Sequence, residues 1–153
     1  MKIKVCFTSE KKPDFTSRMI MKIMRTSYSH VFFVHKGNIY HSVGEGVCVE
    51  PYEKYLESHD LVEEFDVDLV CTEEVFEAFM DGEKEKEYSM SQYLGFVIPF
   101  MQKYVDNNNA KRICSELVAV ALQNYGKTKY TFTKDLDFTN PKDVYEILKA
   151  SVK

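Results

Sequence analysis

Val31-Phe32-Phe33-Val34-His35-Lys36-Gly37-Asn38-Ile39-Tyr40-His41-Ser42-Val43 reads as a β-hairpin, because β-branched and aromatic residues flank a Gly-Asn turn signal. With a two-residue loop at Lys36-Gly37, Val34 pairs with Ile39, Phe32 with His41, and His30 with Val43. Side chains alternate across a strand and directly paired residues share a face. One face therefore holds His30, Phe32, Val34, Ile39, His41 and Val43, and the other holds Val31, Phe33, His35, Asn38, Tyr40 and Ser42. A loop at Gly37-Asn38 keeps the same two sets, whereas a three-residue loop breaks them. On this register the only polar members of an otherwise apolar face are His30 and His41, diagonal neighbours roughly 7–8 Å apart at the backbone. Two imidazoles at that spacing are within hydrogen-bonding reach. His35 falls on the opposite face, which makes a zinc site shared with His30 awkward. His59, in Glu57-Ser58-His59-Asp60, reads as a loop residue.

The second informative segment begins at Cys114. Apolar residues recur at Leu117, Val118, Ala121, Leu122 and Tyr125, the spacing of one helical face, and Gly126 supplies a stop. The pattern predicts a helix over 114–125 with Cys114 at the N-terminal end of its buried stripe. Unpaired N–H groups and the positive end of the macrodipole favour a thiolate at such a position. No Ser, Thr, Asp or Asn immediately precedes Cys114, so a start nearer Asn107 to Asn109 is the alternative, with less dipole assistance. Glu116, two residues on, is expected away from the apolar stripe in a structural role.

A thiol nucleophile needs a base to take its proton and a third polar group to orient the base. Cys114, His30 and His41 are three groups of the required kinds. Ser29-His30-Val31 on a strand, a turn, a second polar residue eleven positions on, and a late Cys114-Ser115-Glu116-Leu117-Val118 helix resemble the circularly permuted NlpC-type papain-like cysteine hydrolases. The likeness is to the YiiX-like branch and related phage proteins, in which histidine precedes cysteine along the chain. The opening strand Ile3-Lys4-Val5-Cys6-Phe7-Thr8, the helix-like Phe15 to Thr26, and Tyr88 ahead of Cys114 are similar too. The resemblance implies Cys114 as nucleophile, His30 as general base and His41 as the orienting group. Many YiiX-like relatives carry a carboxylate near the third position. A histidine there is closer to the lecithin-retinol-acyltransferase-like branch, and Glu45 or Glu50 would substitute as orienter in a different hairpin register. The backbone N–H of Cys114 and the Tyr28 hydroxyl are the candidate oxyanion donors.

The expected fold class is α+β, a permuted papain-like fold with a small antiparallel sheet packed against the helix that carries the nucleophilic cysteine, as a single domain over 1–153. A chain of 153 residues that is 44% hydrophobic is long enough for one core and short for two. A net charge of −4 gives no broad reason to expect nucleic acid as a partner. The cations Lys2, Lys4, Lys11, Lys12, Arg18, Lys22 and Arg25 make the first 25 residues basic, which reads as a solvated face. The four cysteines, Cys6, Cys48, Cys71 and Cys114, show no Cys-x-x-Cys spacing, and neither a signal-peptide pattern nor an apolar run of membrane-spanning length is present. A reduced, cytoplasmic chain is expected, with no metal or cofactor. Cys6 and Cys48 read as buried strand residues and Cys71 as a neighbour of a helix start.

Further elements are a short helix over Pro51 to Ser58, a strand over Leu61 to Leu69, and a helix capped by Thr72 that buries Val75, Phe76, Phe79 and Met80. The charged run from Asp81 to Glu87 is expected to be exposed. Ser91 to Tyr104, interrupted by Pro99, reads as a core helix or as one wall of an acyl-binding groove with Met90 and Met101. Asn140-Pro141 opens a final short helix. The functional expectation is a cysteine hydrolase cleaving an amide bond, such as a peptide or peptidoglycan link, through a thioester. The alternatives are an acyltransferase or thioesterase on acyl substrates, and a catalytically silent phage-encoded binding module.

Overall fold

A computed structural model describes residues 1–84, 86–88, 111–127, 130–132, 135–136 and 139–151. The fold is α+β. Strands β1 (Lys2–Glu10), β2 (His30–His35), β3 (Asn38–Val43), β4 (Gly46–Pro51) and β5 (His59–Asp68) form an antiparallel sheet in the order β4-β3-β2-β1-β5. A second, parallel pair joins β6 (Glu87–Tyr88) to β7 (Lys111–Arg112). The described helices are α1 (Phe15–Met24), α2 (Tyr52–Leu56), α3 (Glu73–Glu83), α4 (Cys114–Tyr125) and α5 (Pro141–Ser151).

The hairpin turn falls at Lys36-Gly37, where both residues have positive φ, +49° and +76°. Two successive positive φ angles make a type I′ turn, whose twist matches that of the flanking strands. The register follows as Val34↔Ile39 and Phe33↔Tyr40. Hydrogen-bonded pairing of β2 with β3 ends there, and toward His30 and Val43 the two strands part. β4, which the sequence reading anticipated only as a strand position for Cys48, there half-buried and not buried, pairs along the whole of β3 and places Glu50 opposite Ile39 and Cys48 opposite His41.

The period-2 alternation of β1 and β2 splits the interior in two. Ile3, Val5, Phe7, Val31 and Phe33 face the larger core with Leu117, Val118, Ala121 and Leu122 of α4, Phe76 and Met80 of α3, and Val144 and Leu148 of α5. Cys6, Phe32 and Ile39 face the other way, onto Tyr55 of α2. Each of these buried aliphatic or aromatic side chains contributes roughly 1.5–3 kcal/mol relative to exposure. The helix of the candidate nucleophile therefore packs on the Val31/Phe33 face, whereas the two histidine rings belong to the opposite face.

Local chemistry starts the helices where expected. Asp14 caps α1 by accepting from the Ser17 N–H at 2.7 Å, and Thr72 caps α3 from the Val75 N–H. Asn140 and Asp143 exchange side-chain to backbone bonds at the start of α5. Several expectations need correction. Val75 is on the solvent side of α3, because Phe76 and Met80 take the inward positions. α3 runs on into the charged segment as far as Glu83, which is buried and paired with Lys86 at 2.6 Å. His59 is the first residue of β5 and not a loop residue, and the strand starts two residues earlier than its apolar pattern. Ser91 to Tyr104, with Met90, lies outside the described residues. Among the described residues no helix is long and apolar enough to cross a membrane, and all four cysteines are free thiols.

Candidate active site

His30 opens β2 and His41 lies in β3, and the shared face brings their rings together: His30 Nε2 is 3.1 Å from His41 Nδ1. Behind His41, its Nε2 lies 3.1 Å from Glu50 Oε1, at an angle outside hydrogen-bond geometry, so the contact is chiefly electrostatic. Glu50 reaches it because β4 pairs with β3 in a register that puts Glu50 diagonal to His41 on the same face. Glu50 thus approaches His41 in the expected hairpin register itself, where the sequence reading offers it as a substitute for His41 in a different one. Both groups are present, in series.

The donor and acceptor roles in this series depend on the tautomers, and a carboxylate behind His41 favours one arrangement. An ionised Glu50 can only accept, so it favours His41 with its proton on Nε2. His41 Nδ1 then accepts from His30 Nε2–H. The remaining nitrogen of His30, Nδ1, is left with its lone pair, as a general base requires. Burial holds His30 well below the usual imidazole range, and the neighbouring His41 and His59 rings act in the same direction. Burial likewise lowers His41 to about 4. Both rings are neutral at physiological pH.

Cys114 begins α4 directly, with Ile113 at the cap position and no side-chain cap, so the helix does not extend back toward Asn107. The N–H groups of Val31, Ser115 and Cys114 itself point at the sulfur and favour its thiolate, yet burial outweighs them and pushes the thiol up to about 11. The dipole expectation is right in sign and loses to desolvation. At rest the Cys114 thiol and the His30 imidazole are therefore both neutral. Val31 is the link between the two faces. It follows His30 in β2, and its amide meets the Cys114 sulfur where the β2 and β3 strands have parted.

Cys114, His30 and His41 all line one cavity of about 940 Å³ at this end of the sheet. Met19, Ile20 and Met24 of α1 form part of its wall. That apolar wall comes from a helix read only as a basic, solvated element. Tyr55 was also missed. Its ring lies edge-on to His41 at 5.5 Å and stacks on His59 at 3.8 Å, and its hydroxyl is 3.2 Å from Thr8 Oγ1. Burial raises the Tyr55 phenol, against a hydrogen bond to Thr8 that acts the other way, and keeps it neutral. One signal pointed to it: Tyr55 is the inward aromatic of a short helix that had to cover the histidine face. Tyr28, by contrast, packs edge-on against Phe7 at 5.0 Å and beside Tyr145, in the larger core and outside the cavity lining, which removes it as an oxyanion donor. Glu116 is not on an outer face but 1% exposed, and Ser115 is tied to the Thr139 carbonyl at 2.7 Å. His35 sits across the sheet against Phe76 and Tyr40, with Glu77 at 3.7 Å, and takes no part in the site. Among the described residues no cluster suited to a metal ion is present.

The depressed His41 pKa has a consequence for stability. A histidine that ionises near 6.5 when unfolded and about 4 when folded makes the unfolded state bind more protons between those values. The stability is complete above pH 6.5 and is lost as pH falls toward 4, by up to about 3 kcal/mol from this group. Urea midpoints measured from pH 7.5 to 4.5 should fall in wild type. They should fall less in His41→Gln, and an unchanged slope would contradict a buried neutral ring.

No protein-family model matches the chain, and a search of curated proteins finds no match.

Proposed function

We propose that the protein is a cysteine hydrolase of the permuted papain-like kind, cleaving an amide bond through a thioester on Cys114. The observation that carries this reading is the hydrogen-bonded His30–His41 pair lining one cavity with a cysteine at a helix N-terminus.

In this reading the neutral His30 Nδ1 takes the Cys114 proton as the sulfur attacks the substrate carbonyl carbon, so the thiolate forms only during attack. Glu50 and His41 hold the ring and stabilise the imidazolium that results. The carbonyl oxygen becomes an anion, for which the Cys114 N–H at the helix start is the nearest backbone donor. Collapse of the tetrahedral species breaks the carbon–nitrogen bond, and His30 returns its proton to the departing amine. Water then gives a proton to His30 as it adds to the thioester, and collapse breaks the carbon–sulfur bond, releases the acid and returns the proton from His30 to the Cys114 sulfur.

A second reading has specific support. The methionine and isoleucine wall suits an aliphatic acyl group better than a polar peptide, which favours a thioesterase or acyltransferase using the same three residues. Incubation with a peptide amide, a short-chain acyl ester and an acyl thioester separates these readings, with products and intact protein mass followed together. A hydrolase releases free acid from its substrate. An acyltransferase passes the group to an added amine or alcohol. No turnover and no protein-bound acyl group with any of the three would leave a binding module and refute both enzymatic readings.

A further inference from the structure

The outward face of α1 presents an unusual combination. Phe15 is 73% and Ile23 45% exposed, although both also line the cavity mouth. At 100° per residue, Phe15, Met19 and Ile23 occupy one arc of the helix, and Arg18 and Lys22 occupy the arc beside it. Both cations are exposed. Lys11, Lys12 and Arg25 flank the helix, so residues 11–25 carry five cations against one anion, Asp14, in a chain whose net charge is −4. A solvated surface helix accounts for the cations but not for a bare phenylalanine and isoleucine set among them. Large exposed apolar side chains bordered by Lys and Arg are the pattern of a helix that lies in a membrane interface, with rings and branched chains below the headgroups and cations at the phosphates.

We propose that α1 docks this protein onto an anionic phospholipid bilayer, with Phe15 and Ile23 inserted and Arg18 and Lys22 paired to lipid phosphates. The charge contrast between this segment and the rest of the chain orients the contact, because the acidic remainder is repelled from the same surface. The inserted residues form the rim of the cavity, so docking opens the apolar wall of Met19 and Ile20 toward the lipid. The inference concerns binding alone and stands whether or not Cys114 is catalytic.

Flotation of the full chain with vesicles of phosphatidylcholine, and of phosphatidylcholine mixed equally with phosphatidylglycerol, tests it. The protein should float with the anionic vesicles, remain free of the neutral ones, and be released by high salt. Arg18→Glu/Lys22→Glu and Phe15→Ser/Ile23→Ser should each weaken the partition roughly tenfold or more, since each cation near such a surface is worth about a fivefold factor. Lys149→Glu, a single charge reversal on α5, should leave binding intact, as should Cys114→Ala. The substituted α1 positions are exposed, and thermal melts verify that the variants fold. Absence of flotation, equal flotation with neutral vesicles, or a loss with Lys149→Glu matching that of the α1 charge variant would overturn the proposal. So would self-association that Phe15→Ser abolishes without any vesicle binding.

Discussion

Cys114→Ala, His30→Ala and the double variant should all lose turnover to the same floor, about 10³-fold or more below wild type. The reason is the neutral resting state. With the thiol pushed up to about 11, almost no thiolate exists at neutral pH unless His30 removes the proton during attack. Losing the base therefore costs nearly as much as losing the sulfur, and losing both costs no more. Removal of His41 should be milder, about 10- to 100-fold, because the base survives with its orientation loosened. Glu50→Gln should be milder still, because Glu50 acts through His41. Turnover numbers measured with saturating substrate check the series. Additive losses in the double variant would mean that the two residues do not act as a unit.

Phe33→Ala should destabilise the fold by about 3–5 kcal/mol, the usual range for truncating a fully buried phenylalanine. Phe33 is 0% exposed and packs edge-on against Phe76 at 5.5 Å. It also belongs to Phe33↔Tyr40, the last hydrogen-bonded pair before β2 and β3 part. A void there lets the parting spread toward the turn, so activity per folded molecule should fall along with the urea midpoint. Val75→Ala, one residue before the Phe76 partner but 43% exposed, should change stability by less than about 0.5 kcal/mol. Comparable losses in the two variants would show that the larger core is not where Phe33 places it.

The hairpin was legible because a Lys-Gly turn between β-branched runs leaves one register compatible with two apolar faces, and that register alone predicts the His30–His41 contact. The helix from Cys114 to Tyr125 was legible from its period and from Gly126. What escaped was information carried by contacts between elements. β4 lacks strong alternation of its own and is recruited by the free edge of β3, which is how Glu50 arrives behind His41. Tyr55 becomes part of the site only because α2 folds across the histidine face. Val75 and Phe76 are both apolar, and local pattern did not decide which turns inward. The dipole argument for Cys114 was sound locally, but desolvation is a property of the packed molecule and reversed the net effect. The likeness to permuted papain-like hydrolases rests on the Ser29-His30-Val31 and Cys114-Ser115-Glu116 segments.

Acylation by a p-nitrophenyl acyl ester, followed by intact mass and peptide mapping in wild type and His30→Ala, addresses the central assignment most directly. One acyl group should appear, on Cys114 and not on Cys6, Cys48 or Cys71. Its rate should hold below pH 6, because His30 stays neutral well below the usual imidazole range, and His30→Ala should slow it about 100-fold or more. Acyl groups spread over the four cysteines, or a rate indifferent to His30, would contradict the account.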